Sequence, residues 1–279
     1  MTGHMELTLE LARELELAEA NAAVRCVEAA KSGGASPEFT VEAIAGGFAV
    51  YCGHDSPITQ AVGLGLHGPV SEEEFSRLES FYFDRNEAVR VETCPMADAS
   101  IVGQYGERGY RVSEFSNVMA VLPEATAALP PSETIEIRAA RPDEFDLWAR
   151  TVAQGFAESQ PVSEEIVGIM KQFASVPDTE CYLAHIEGRV VAGATLAIRG
   201  RTAGLFGAST LPEFRGRGVQ TALLRSRLRR ASELGCGLAM SIALPGSISQ
   251  RNMSRAGFQT LYTRVKFERA CPPGNSAGN

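Results

Sequence analysis

The chain has 279 residues, 44% of them hydrophobic, and a formal net charge of -8; that length suits one large or two medium domains, and the acidic balance argues against nucleic acid as a partner. Cys26, Cys52, Cys94, Cys181, Cys236 and Cys271 stand singly without a Cys-x-x-Cys pair, and the four histidines are isolated, so no metal site is expected and the chain reads as a protein of the reducing cytoplasm. No run of 18 apolar residues and no basic-then-apolar leader occurs, so no membrane association is expected.

In chain order, Leu7, Leu11, Leu15, Ala18, Ala22 and Cys26 recur every three or four residues, which predicts an amphipathic helix over 6–31, stopped by Ser32-Gly33-Gly34. Strand-like runs at 39–45, 48–52 and 58–66 are separated by glycine-rich breaks and predict an antiparallel meander. Ser71-Glu72-Glu73-Glu74 has the spacing of a capping box and opens a helix to about residue 86. A strand at 88–94, a short helix at 98–108 and a long strand at 110–122 follow. The proline-rich stretch 123–134 reads as a linker.

The order then returns. A strand at 135–139, helices at 142–154 and 163–174, and a meander at 181–186, 189–198 and 202–210 lead to an arginine- and glycine-rich turn. That turn opens a helix over 217–234, ended by Gly235. A strand at 238–244, a helix at 247–255, a strand at 258–268 and a tail at 270–279, expected to be disordered, complete the chain. Gly109-Tyr110 and Gly257-Phe258 join a short helix to a long last strand in both halves, which indicates an internal duplication. Two α/β (α+β) domains are expected, 1–122 and 135–269, each a mixed, mainly antiparallel twisted sheet flanked by helices.

The chemistry concentrates at Arg215-Gly216-Arg217-Gly218-Val219-Gln220-Thr221. Backbone N–H groups of a glycine-rich turn and of the first helical turn converge there, and the helix dipole adds roughly half a positive charge. Gly216 and Gly218 allow backbone to approach a phosphate, and Arg215 and Arg217 add charge. Further arginines at 225, 227, 229 and 230 suggest a small anionic ligand. The string is neither a Walker loop nor a dinucleotide fingerprint, since Gly-Lys-Ser/Thr and the third glycine are missing. It resembles motif A of the GNAT superfamily of N-acetyltransferases, Arg/Gln-x-x-Gly-x-Gly/Ala, with Gln220 in place of the last Gly/Ala.

The resemblance spans 135–269 and implies that this half binds acetyl-CoA, with its pyrophosphate on Arg215, Gly216, Arg217, Gly218, Val219, Gln220 and Thr221. It implies that backbone groups of Ala208, Ser209 and Thr210 pair with the pantetheine and polarise the thioester, that Asn252 contacts the same arm, and that an amine attacks the acyl carbon directly. The tyrosine many members carry four residues before the glycine of the Gly-Phe pair is Met253 here, which cannot donate a proton. Ser249 and Tyr262 are the alternative acids, and Glu158 and Glu213 the nearest acidic candidates for a base. The acceptor would be a small-molecule or peptide amine; a homodimer is allowed.

The first half resembles the same fold without the cofactor motif. Its Gly63-Leu64-Gly65-Leu66-His67-Gly68 spells a dinucleotide fingerprint, with Glu92 placed as a ribose-binding acid, which keeps a nucleotide-dependent oxidoreductase open. Against it, the Ser71 cap starts the helix after the last glycine, and Glu72, Glu73 and Glu74 crowd that end with negative charge. A degenerate copy that binds no CoA is expected, and a catalytically silent acyl-CoA-binding or scaffold protein is the competing class.

Overall fold

The computed structural model describes residues 5–33, 38–54, 56–125, 132, 134–157 and 161–273. The chain divides into two compact units, one of Glu6–Val118 with the residues from Leu261 onward, the other built on Met119–Thr260.

In the first unit α1 (Leu9–Ser32) starts at Thr8, whose hydroxyl accepts from the Leu11 N–H, and ends at Gly33. β1 (Thr40–Ile44) and β2 (Gly47–Tyr51) form an antiparallel hairpin, and β2 continues antiparallel to β3 (Gln60–Val62). β3 is shorter than the run 58–66 because Gly63 and Gly65 take φ of 80 and 72°, which turns the chain out of the sheet. α2 (Glu72–Phe83) carries the expected capping box between Ser71 and Glu74. β4 (Val89–Thr93), parallel to β3, then leads through α3 (Ser100–Arg108) to β5 (Arg111–Val121). Phe75, Leu78, Tyr82, Tyr105 and Val91 close the core of this unit.

The fingerprint-like string lies in the turn after β3, and part of its backbone is bonded within the unit. The Gly65 N–H donates to the Ala45 carbonyl at 3.0 Å, and the Gly65 carbonyl accepts from the Asp98 N–H at 2.8 Å. Arg13 Nε donates to the Leu66 carbonyl at 2.9 Å, while Leu64 and Leu66 are buried. The turn is thereby tied into the unit through one N–H and two carbonyls, and the helix that follows it opens on Glu72, Glu73 and Glu74, which oppose a phosphate.

The second unit runs β6 (Glu136–Ala139), α4 (Phe145–Ala157), α5 (Glu164–Ala174), β7 (Thr179–Ile186), β8 (Arg189–Arg199), β9 (Thr202–Thr210), α6 (Val219–Glu233), β10 (Leu238–Ala243) and α7 (Ile248–Arg255). Its strands lie in the order β10-β9-β8-β7-β6, antiparallel except for the parallel pair β9 and β10. α4 buries Trp148, Ala149, Val152 and Ala153 against the sheet, where Gly193 leaves the space that Val152 and Trp148 fill. No helix among the described residues is long and apolar enough to cross a membrane.

The last strand, β11 (Gln259–Arg269), pairs antiparallel with β4 from Val265↔Thr93 to Arg269↔Val89. The strand that closes the second repeat in sequence therefore completes the first unit, and Met119–Val121 at the end of β5 belong to the second. A linear division at 122 and 135 does not express this exchange of strand ends. β11 carries Arg264, 1% exposed, into the first unit, where it is held by Glu16, Glu19 and Glu92. Burial pushes the Glu16 carboxyl up to about 6 against the pull of Arg264.

Candidate functional site

Three local features of the second unit converge where β9 leaves the sheet. The first is a fork. The parallel register of β9 and β10 runs from Leu238↔Thr202 to Met240↔Gly204 and stops, although both strands continue. Ser241 Oγ donates to the Leu205 carbonyl at 2.7 Å, bridging the strands just where they part. Beyond it, Leu205–Thr210 has a partner on the β8 side but none in register on the β10 side, so alternate backbone groups face an open cleft.

The second feature is a bulge. Thr195 faces Phe206 and Gly193 faces Ser209, so Gly207 and Ala208 oppose Ala194 alone. Gly207 takes φ of 58°, which favours glycine. Arg227 of α6, 1% exposed, caps the disturbed ladder, its Nη1 donating to the Thr195 carbonyl at 2.9 Å and the Phe206 carbonyl at 3.4 Å. It is held there without a carboxylate, and burial pulls its guanidinium down to about 9. Trp148 Nε1 donates to the Ala194 carbonyl at 3.2 Å, and Ser209 Oγ to the Val152 carbonyl at 2.8 Å. Ala208, Ser209 and Thr210 are thus fixed from α4 and from α6.

The third feature is the turn into α6. Thr8, Ser71, Ser163 and Ser247 cap α1, α2, α5 and α7 with their hydroxyls, whereas α6 begins at Gly218, φ 80°, with no side-chain cap. Gly216 takes φ of 77°, and a Cβ at either glycine would meet open space. The N–H groups of the first turn of α6 therefore point into a cavity with the positive end of the helix dipole behind them. Arg215 turns away, its Nη2 donating to the Gly155 carbonyl at 2.9 Å and its Nε to the Thr210 carbonyl at 3.3 Å, which fastens the turn to the end of β9. Arg217 lies over the Phe214 ring at 5.2 Å.

Gln220, the departure from the family motif, has a structural role. Its Nε2 donates to Ser249 Oγ at 2.9 Å and its Oε1 accepts from Asn252 Nδ2 at 2.6 Å, clamping α7 onto the start of α6. The structure thereby brings together Ala208, Ser209, Thr210, Arg215, Gly216, Arg217, Gly218, Val219, Gln220 and Thr221 on β9 and α6, with Ser249 and Asn252 tied to them.

Other candidates lie elsewhere. Tyr262 is in the other unit, its hydroxyl donated to Glu16 at 2.7 Å. Met253 is core. Glu213 is exposed and paired with Arg189 at 2.9 Å. Glu158 is outside the described residues. The arginine group divides too: Arg215 and Arg227 hold backbone carbonyls and Arg230 pairs with Glu180, while Arg217, Arg225 and Arg229 line one groove. Sequence reasoning counted Arg227 with the anion-binding arginines and missed Ser241, since an arginine on a helix and a serine in a strand carry no mark of the carbonyls they reach.

A parted parallel pair of strands, a bulge beside it and an uncapped glycine turn opening the next helix thus meet at one end of the β9–β10 pair. Residues 144–258 match the family described as Acetyltransferase (GNAT) family. No curated protein matches the chain. Among solved structures it is similar to a GCN5-related N-acetyltransferase from Kribbella flavida, 15% identical, with 98% of each chain covered and a TM-score of 0.65. It is also similar to a tandem GNAT protein from the clavulanic acid biosynthesis pathway, 12% identical over 96% of each chain with a TM-score of 0.60. A third, a GCN5-related N-acetyltransferase from Sphaerobacter thermophilus, is 19% identical over 73% of this chain and 66% of that one, with a TM-score of 0.54. At these identities the likeness is one of fold.

Proposed function

We propose that the chain is an acyl-CoA-dependent N-acetyltransferase working from the unit built on Met119–Thr260, with acetyl-CoA as cosubstrate. The observation that carries the reading is the uncapped N-terminus of α6 at the mouth of the β9–β10 fork. Open space over Gly216 and Gly218 fits a pyrophosphate, which the first N–H groups of α6 would hold. Ala208, Ser209 and Thr210, fixed by the bulge, would aim N–H groups at a thioester carbonyl, and each donor to a developing oxyanion is worth about 3 kcal/mol.

The amine nitrogen forms the bond to the acyl carbon, the carbon–sulfur bond breaks, and the ammonium proton passes to solvent or a base. The departing thiolate takes a proton in turn; with a thiol pKa of about 8.5 it leaves without a strong acid. Ser249 accepts from Gln220, so its own O–H remains to be donated. Tyr262, committed to Glu16, is left out of the proposal. The first unit, whose glycine turn is followed by the acidic first turn of α2, is assigned no cosubstrate.

Thiol release from acetyl-CoA over a panel of small and peptide amines tests this reading. Turnover with at least one amine, abolished by Gly218→Glu, is expected. Binding of CoA with no release on any amine would instead favour a silent acyl-CoA-binding protein, consistent with the buried Met253.

A further inference from the structure

South of the turn, a groove of about 380 Å³ continues from Arg217 and Gly218 along α6, walled on the other side by Ile135 and Ile137. Thr221, Arg225 and Arg229 follow each other at four-residue steps in one row on α6, and Arg217 stands in the turn just ahead of that helix. Three of the four are arginines lining this groove, the fourth is Thr221, and Ser132, Thr134 and Ser226 add hydroxyls. Among the described residues no carboxylate lines it. Arg225 is the informative member: its Nε is shut off from solvent and has no hydrogen-bond partner. A desolvated guanidinium donor without an acceptor is unfavourable, and the residue that carries it is one of those lining the groove. The neighbouring Arg227 and Arg230, in contrast, are satisfied by carbonyls and by Glu180.

From Val219, the first residue of α6, to Arg225 the helix rises about 9 Å, and the side chain of residue 225 leans back toward the N-terminus. A ligand with phosphate on the α6 turn can therefore place a second phosphate against Arg225 without leaving the groove. We propose that this groove is a second phosphate subsite, centred on Arg225, that takes the phosphate on the ribose of coenzyme A. The inference rests on the acyl-CoA reading above and deepens it: the protein selects CoA over its dephosphorylated form.

Titration calorimetry with CoA and with 3′-dephospho-CoA tests it on the full chain, using Arg225→Gln and, as a control for lost charge on the same helix, Arg230→Gln. The wild type should bind CoA about tenfold or more tightly than dephospho-CoA, as a charge-assisted contact to phosphate implies. Arg225→Gln should bring that ratio to about twofold or less by weakening CoA alone, and Arg230→Gln should leave it standing. A wild-type ratio near one, or a ratio that survives Arg225→Gln, overturns the assignment. If the two ligands bind alike while millimolar inorganic phosphate stabilises the wild type and not Arg225→Gln, the groove serves a free anion, and the assignment to the coenzyme falls. If neither ligand binds, the acyl-CoA reading itself has failed.

Discussion

Gly218 and Gly235 stand at the two ends of α6 with the same backbone conformation, φ 80 and 74°, and a Cβ on either would meet nothing. Alanine at each position therefore incurs the same left-handed strain, about 1 to 2 kcal/mol. In a protein of this size that lowers Tm by roughly 2–4 °C per kcal/mol. The two differ only in what the new methyl group faces. At 235 it faces solvent past the helix C-terminus; at 218 it stands over the uncapped N–H groups. If a pyrophosphate sits there, Gly218→Ala displaces it from one or two charge-assisted hydrogen bonds of about 1.5–3 kcal/mol each. That corresponds to a CoA affinity lower by roughly ten- to a hundredfold or more. Thermal unfolding of both variants, followed by calorimetric titration with CoA, separates strain from ligand loss. Equal Tm losses with a CoA defect confined to Gly218→Ala are expected. Two variants that bind CoA as the wild type does would refute the placement of the phosphate on α6.

Three other outcomes follow from particular contacts. Burial raises Glu16 from its ordinary 4.5 to about 6, with Arg264, Glu19, Tyr262 and Cys94 facing it. The folded chain then holds a proton that the unfolded chain has released between those values, so this stabilisation is complete below pH 4.5 and lost as pH rises through 6. About 1.5 pH units correspond to about 2 kcal/mol, and Glu16→Gln should flatten that slope in urea unfolding between pH 4.5 and 7; an unchanged slope would count against it. Gly155→Ala would bring a methyl group 2.4 Å from Ser209 Oγ and 3.1 Å from the Thr210 nitrogen. It should cost about 1–3 kcal/mol of stability and lower kcat more than CoA affinity, since it disturbs the strand aimed at the thioester; an unaltered kcat would separate Ser209 and Thr210 from the chemistry. Gln220→Ala removes the two hydrogen bonds clamping α7 to α6 and should lower stability by about 1–2 kcal/mol, seen as an earlier urea midpoint; no shift would mean the clamp contributes nothing.

The order of elements was legible because each carries a local signal: the four-residue apolar stripe of α1, the Ser71 capping box of α2, and Gly235, which ends α6 in the left-handed region. The α6 turn was legible for the same reason, since glycine at 216 and 218 is a statement about backbone. Partners across the chain were not. Alternation marks 258–268 as a strand but is silent about its neighbour, so the pairing of β11 with β4, and with it the burial of Tyr262 beside Glu16, could not be read in advance. Charge misleads in a similar way. Six arginines between 215 and 230 look like one basic surface, yet Arg227 is fully buried, because its fork matches two carbonyls left over by the bulge in β9. Gln220 looked like a defect in the motif and proves to be a tie between helices.

The assignment of the cradle is tested most directly by backbone amide shifts in a titration of the 15N-labelled protein with CoA, because the chain contains its own control. Gly216, Arg217, Gly218, Val219, Gln220 and Thr221 should shift and saturate together, while Gly63, Gly65 and Gly68 of the turn in the first unit stay where they are. Saturable shifts at Gly63–Gly68 with none at 216–221 would contradict it, and would return the ligand to the glycine turn of the first unit.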